Sequence, residues 1–265
     1  MTFIDKKEFL RSFAIRPDGA FNFFLGAGAS VQANIPAAGT LIWQFKRKLY
    51  CDALNFKEEK FKDLESERNR STLQSYFELK GGYPKLYSGE EYSFYFEKCY
   101  PKSIDRKAFI QRIIQGKNPS IGHKCLGVLF DTGKTNHIWT TNFDELIENG
   151  IKSVNNISQF EIISPDNNHQ VNNLNKYPRV LKLHGDYRYD ALQNTTSELQ
   201  ALENSLHHYF AQVQSGCGLI VLGYSGNDAS VLAAFEETLK LDVPFRTGYT
   251  GVSEKGLSQI LHWKR

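Results

Sequence analysis

The stretch FNFFLGAGAS, Phe21–Ser30, decides the fold. Phe21–Leu25 is a short apolar run and reads as a buried strand. Gly26 ends it, and Gly26-Ala27-Gly28-Ala29-Ser30 is a turn of small residues. After Pro36, the segment Ala37–Tyr50 carries Leu41, Ile42, Phe45 and Leu49 at helical spacing. Strand, glycine turn and helix in this order open a doubly wound nucleotide-binding fold.

The same alternation returns downstream. His137–Thr140 predicts a strand, Phe143–Ile151 a helix, and Glu161–Ser164 and Val180–Leu183 two more strands. Ser197 and Gln200 spell a capping box that opens a helix through Gln214. Gly218–Leu222 is a further buried strand, and Asp228 can cap a helix through Leu239. Asn155–Asn156 and the Asn/Asp cluster at Asp166–Asn175 are loop composition. Strands alternating with helices predict an α/β, Rossmann-like, mainly parallel sheet covered on both faces. Between about 52 and 120 the texture changes, with charges dense through Lys57–Arg70 and aromatics dense through Tyr76–Tyr100. Phe56, Phe61 and Leu64 are helically spaced there, so this stretch reads as a helical insertion lobe. The chain is read as one domain, 1–265, with an atypical tail from about 241.

Bulk properties exclude more than they select. A chain of 265 residues can bury a sizeable core. Its formal net charge of +3 gives no argument for nucleic acid. Glu and Asp interleave the bases and aromatics of the lobe, which speaks against a single-strand-binding surface. No apolar run approaches the roughly 18 residues of a membrane span. The polar start MTFIDKKEF lacks the apolar core of a signal peptide. Cys51, Cys99, Cys125 and Cys217 stand far apart, without the paired spacing of a zinc site. Reduced thiols in a cytoplasmic protein fit this pattern.

Four strings carry chemistry. In Gly26–Ser30 the glycines let a backbone approach a pyrophosphate at a helix N-terminus, although Val31 stands where a third glycine would complete the dinucleotide pattern. A tight strand–helix turn fits the same residues. Thr140-Thr141-Asn142-Phe143-Asp144 puts an amide just beyond a strand's carboxyl end, where ligands of parallel sheets collect. Asn142 can grip ribose hydroxyls or a water, whereas Asn142 or Asp144 could equally cap the next helix. Leu183-His184-Gly185-Asp186 offers an imidazole for proton transfer, or a structural histidine. Gly223-Tyr224-Ser225-Gly226-Asn227-Asp228 follows a strand and fits a ligand's phosphate or ribose, or a capping turn. His207–His208 lacks an i, i+4 partner, and His123, His137 and His169 have no ligand spacing, so no metal is expected.

Together and in this order, these strings resemble the sirtuin-like domain over roughly residues 20–240. The resemblance implies NAD⁺ as substrate, with Gly26, Ala27, Gly28, Ala29, Ser30 and Pro36 in the glycine-rich NAD loop. Thr140–Asp144 stands where the family carries its Thr-Gln-Asn-x-Asp string, with Thr141 in the place of Gln and Asn142 and Asp144 matching, and His184 stands for its catalytic histidine. Gly223, Ser225 and Asp228 lie in the turn that holds phosphates and ribose. Protein-deacylating sirtuins carry paired cysteines and Pro-Asp-Phe-Arg after the glycine loop; this chain has Pro36-Ala37-Ala38-Gly39 and no such pairs. TTNFDELIE, YSFYFEKCYP and GYSGND are closer to bacterial anti-phage effector domains that hydrolyse NAD⁺ to ADP-ribose and nicotinamide. The implied partners are a second copy of the chain or a sensor: a HerA-type ATPase, an Argonaute-like protein or a helical sensor region. A non-catalytic NAD⁺ or ADP-ribose module, or a nuclease-associated subunit, is the alternative. DVPFRTGYTGVSEKGLSQILHWKR after Leu241 matches no closing strand of the family at the level of sequence.

Overall fold

β1, Phe21–Leu25, is buried along its whole length, as four apolar side chains in five residues require. The computed structural model describes residues 5–154, 159–164, 177–184, 204–241 and 249–252. Before β1 runs α1 (Lys6–Ile15), capped by the Asp5 carboxylate. After it comes a 3₁₀ turn, Ala27–Ala33, and then α2 (Ala38–Leu54). α3 (Glu67–Lys80), α4 (Glu91–Cys99), α5 (Ser103–Ile114) and α6 (Ile121–Asp131) lead to β2 (His137–Thr140). α7 (Leu146–Ser153), β3 (Glu161–Ile163) and β4 (Arg179–Lys182) follow. α8 (Asn204–Gly216), β5 (Gly218–Leu222), α9 (Ala229–Leu239) and β6 (Tyr249–Val252) complete the described elements.

The six strands form one sheet in the order β3-β4-β2-β1-β5-β6, and every neighbouring pair is parallel. The expected α/β architecture is therefore the observed one. Phe24, Trp139, Leu181, Phe210, Leu219 and Phe235 fill one face of the sheet. Phe21, Phe23, Ile138, Val180, Leu126 and Phe130 fill the other. The helical lobe has its own core, drawn from α2, α3, α4 and α5, with Phe45, Leu73, Phe77, Tyr95, Phe96 and Phe109 at its centre.

Beyond shifts of a few residues at element ends, some boundaries differ from the sequence reading. The lobe's core begins in α2 rather than near residue 52; its end near 120 agrees with α6, whose Leu126 and Phe130 pack under β1 and β2. The helix expected from Phe143 starts at Leu146, whose N–H is met by Asp144 Oδ1 at 3.0 Å; the preceding residues form the turn. In the stretch read as an atypical tail, Tyr249–Val252 pairs in parallel with Leu219–Leu222 as an edge strand. The capping box at Ser197–Gln200 lies outside the described residues.

Candidate functional site

The carboxyl ends of β1, β2, β4 and β5 meet at one edge of the sheet, and a polar network ties them together. Thr140 Oγ1 donates to the Leu25 carbonyl at 3.0 Å and accepts from the Asn142 N–H at 3.0 Å. That orients Asn142, whose Nδ2 donates to the Gly26 carbonyl (3.2 Å) and to Ser30 Oγ (3.0 Å). Ser30 passes its own proton to Asp144 Oδ2 at 2.7 Å. From below, Lys182 Nζ donates to the Asp144 carbonyl (2.7 Å) and pairs with Glu148 Oε1 at 2.8 Å. Both Asp144 oxygens are thus engaged inside the protein, by Ser30 and by the Leu146 N–H. Asn142 Oδ1 is different: it is buried and has no hydrogen-bond partner among the described residues. An unmet buried acceptor costs about 1–3 kcal/mol. The Asn142 side chain lines a cavity, where a water or a ligand can supply the missing donor.

His184, directly after β4, forms the second element. Its Nε2 lies 2.5 Å from Asp228 Oδ2. Asp228 does two jobs. Its Oδ1 accepts from the N–H groups of Ser230 (3.0 Å) and Val231 (3.4 Å), capping α9, while Oδ2 faces the imidazole. Burial alone would raise the Asp228 carboxyl, but His184, Ser230 and Val231 outweigh it and hold the group at about 2. The carboxylate is therefore charged at any working pH. Its charge turns the Nε2 edge of the imidazole toward Asp228 and leaves Nδ1 as the other ring nitrogen.

The two glycine turns interlock. Gly26 N–H donates to the Leu222 carbonyl at 2.9 Å and Gly28 N–H to the Gly223 carbonyl at 2.8 Å. Gly223 has φ +63°, and a Cβ there would strike Ala29 and Gly28; one on Gly26 would strike Gly223 and Tyr224. These glycines are required for backbone-to-backbone packing of the β1 and β5 loops. Two N–H groups that the sequence reading aimed at a pyrophosphate are thus occupied within the protein. Val31, in the place of the third glycine, is exposed.

A cavity of about 970 Å³ opens between this edge and the helical lobe. Asn142, His184, Thr141, Asp144, Ser225 and Asp228 line it, as do Ala27, Gly28, Ser30, Pro36 and Gly223. Of the residues expected at the site, Gly26 and Ala29 are not on its wall. Gly185 and Asp186 lie outside the described residues. The far wall was not anticipated: Leu41 of α2, Tyr92 of α4, and Ile110, Ile113 and Ile114 of α5 make it apolar. No Lys or Arg lies among the described lining residues. Lys182 and Glu148 were also missed, although a lysine closing an otherwise apolar strand run was a readable sign. Among the described residues no group of three or more His, Cys, Asp or Glu could hold a metal. His123 and His137 are buried and apart from the cavity lining, His208 is exposed beside Glu237 at 3.3 Å, and His169 lies outside the described residues. No described helix is long and apolar enough to cross a membrane.

The parallel Rossmann-like sheet with these loops at its carboxyl edge shares its fold with a solved Sir2 homolog. A SIR2-like domain model matches residues 136–251. Among solved structures, a Sir2 homolog–NAD complex is 13% identical, with a TM-score of 0.51, over 95% of this chain and 83% of that one. A structure concerned with sirtuin substrate affinity is 14% identical, with a TM-score of 0.47, over 98% of this chain and 96% of that one. At such identity the first of these shows a shared fold. No curated protein matches the chain.

Proposed function

We propose that the chain is an NAD⁺ glycohydrolase, cleaving NAD⁺ to ADP-ribose and nicotinamide. One observation carries the reading: Asn142, whose amide oxygen is buried and unpartnered among the described residues, lines the same cavity as the His184–Asp228 pair. A fixed acceptor of this kind suits a ribose hydroxyl or the attacking water. The cavity is of a size for a dinucleotide. The Sir2 homolog that shares the fold is described as an NAD complex.

In the reaction the bond between the ribose anomeric carbon and the nicotinamide nitrogen breaks. Its electron pair leaves with nicotinamide, which departs neutral and needs no strong acid. A water oxygen bonds to the anomeric carbon, and the water's surplus proton goes to His184 Nδ1. Asp228 supports the imidazolium that forms. General-base assistance of this type is worth about 10²–10⁴-fold. Asn142 orients water and ribose; Ser30, Asp144 and Lys182 hold Asn142 rather than touching substrate. The pyrophosphate must be met by neutral groups, among them Ala27 and Ser225. The lobe's apolar wall excludes bulk water.

The motif wording supports a role in anti-phage defence by NAD⁺ depletion in the cytoplasm. The whole chain would then serve as a single effector domain, controlled by self-association or by a sensor partner. Chromatography of NAD⁺ incubated with the protein, alone and with candidate partners, tests the activity. Nicotinamide and ADP-ribose appearing in equal amounts, and lost in Asn142→Ala, is the expected result. NAD⁺ bound but never cleaved under any of these conditions would make the chain a binding module instead.

A further inference from the structure

The helical lobe contains a buried ion pair that the reaction does not use. Lys46 of α2 is fully buried, with its Nζ bonded to Glu91 Oε1 and, at 2.8 Å, to Gln74 Oε1. The rings of Trp43 and Tyr95 flank the ammonium at 4.5 and 4.9 Å. The other Glu91 oxygen accepts the Tyr87 N–H at 2.6 Å. Tyr87 belongs to the connection between α3 and α4, and it is held at φ +64° although it is not glycine. Its side chain is 77% exposed, so the conformation is imposed by the backbone bond rather than by side-chain packing. Two residues on, Gly89 lies so close to the Asn227 carbonyl that a Cβ would collide with it. Gly89 and Glu90 line the cavity, and Asn227 precedes the aspartate that holds His184.

We propose that residues 83–90 are a strap that closes the cavity mouth, rooted in the lobe and latched by the Lys46–Glu91 pair. The root is Tyr83, packed on Phe77 at 4.7 Å and on Tyr95 at 5.8 Å between ring centroids. The tip is Gly89, which meets the opposite rim at Asn227. A carboxylate between a buried ammonium and a backbone N–H is a directional tether, which apolar packing would not provide. Lys46 and Glu91 are therefore positioning residues: they set where the strap lies, and the strap bears on the turn that carries Asp228. The strap's effect on turnover rests on the proposed NAD⁺ cleavage, but its closure does not.

The test is limited trypsin digestion, reading cleavage after exposed Lys85 by mass spectrometry, without ligand and with NAD⁺ or ADP-ribose. The variants are Gly89→Val, which adds a side chain where the tip meets the Asn227 carbonyl, and the double Lys46→Met, Glu91→Leu, which removes both buried charges together. Cleavage that follows the population of open strap should rise about threefold or more in both variants. Ligand should slow it in the wild type and less so in Gly89→Val. Gly89→Val should also raise KM and alter kcat, as lid variants do, with an unchanged melting temperature. If the double variant loses its fold, Gly89→Val alone decides. Equal cleavage after Lys85 in wild type and Gly89→Val would overturn the strap, whatever NAD⁺ does. Faster cleavage in Gly89→Val with no ligand effect in any protein would uphold the strap and count against NAD⁺ as the substrate.

Discussion

The sheet edge and the helical lobe face each other across one cavity and are held together differently. At the edge, Asn142, Ser30, Asp144 and Lys182 form a chain of hydrogen bonds from 2.7 to 3.2 Å that joins three strand ends. In the lobe, aromatic rings do the joining: Phe45 stacks on Phe96 at 5.1 Å, and Tyr100 lies 4.9 Å from Phe109. Apart from Glu90 and Ser93, the lobe presents apolar side chains such as Ile110, Ile113 and Ile114 to the cavity, whereas the edge presents an amide, an imidazole and a carboxylate. Directional bonds fix reacting groups to a fraction of an ångström, and apolar burial supplies enclosure without competing polar groups. The division teaches that chemistry sits on the edge and exclusion of water on the lobe.

The most severe way to break this comparison is at the edge. Asn142→Ala should lower NAD⁺ cleavage by on the order of 10³-fold, the upper end for removing one preorganised polar group, while circular dichroism stays native. Full turnover by the folded variant would remove Asn142 from the chemistry. His184→Ala should lose about 10²–10⁴-fold in kcat and still bind NAD⁺. Asp228→Asn should lose less, because it keeps a helix cap and a hydrogen-bonding group but not the charge. Calorimetric titration separates these outcomes from loss of binding, and an Asp228→Asn enzyme as poor as His184→Ala would make the two one unit.

Acid should sharpen the contrast between the edge and the sheet's opposite end. His137, the first residue of β2, is pushed down to about 4, mainly by burial and also by Arg179, from an ordinary 6.5. The folded state resists protonation that the unfolded chain accepts. Stability is therefore full above pH 6.5 and falls toward pH 4, by about 3 kcal/mol. Asp228 acts in a lower window. Its folded value near 2 lies below the usual 3.8, so its contribution is present above that value and is lost only as pH falls toward 2. Urea titrations across pH should show the first loss flattened in His137→Gln and unchanged in Asp228→Asn. A flat profile between pH 6.5 and 4 in the wild type would contradict this assignment. The smallest effect expected is that of chelation. EDTA should leave NAD⁺ cleavage unaltered, since no described side-chain cluster has a metal's ligand set. Activity lost to EDTA and restored by one metal would reveal a site elsewhere in the chain.

The sheet was legible because its strands are short, mainly apolar runs bounded by turn residues: Phe21–Leu25, His137–Thr140 and Gly218–Leu222 were read with their observed limits. The positions gathered at the cavity were legible for the same reason, since parallel strands bring their carboxyl-end loops to one edge. The roles were less so. Gly26 and Gly28 read as phosphate ligands, but loop-on-loop packing uses their N–H groups. Asp228 read as a ligand of phosphate or ribose, but it contacts His184 from more than forty residues away in the chain. Strand β6 was hidden because Tyr249–Val252 contains a glycine and lacks a continuous apolar signal.

What the sequence determined by itself is the order of elements and the few polar residues at strand ends, because hydrophobic period and turn chemistry are local properties. Only the tertiary structure decided which groups meet. The Asn142–Ser30–Asp144 chain, the His184–Asp228 pair and the Gly89–Asn227 contact all join residues far apart in the chain. Their partners are chosen by how the sheet and lobe pack, and no local pattern records that choice.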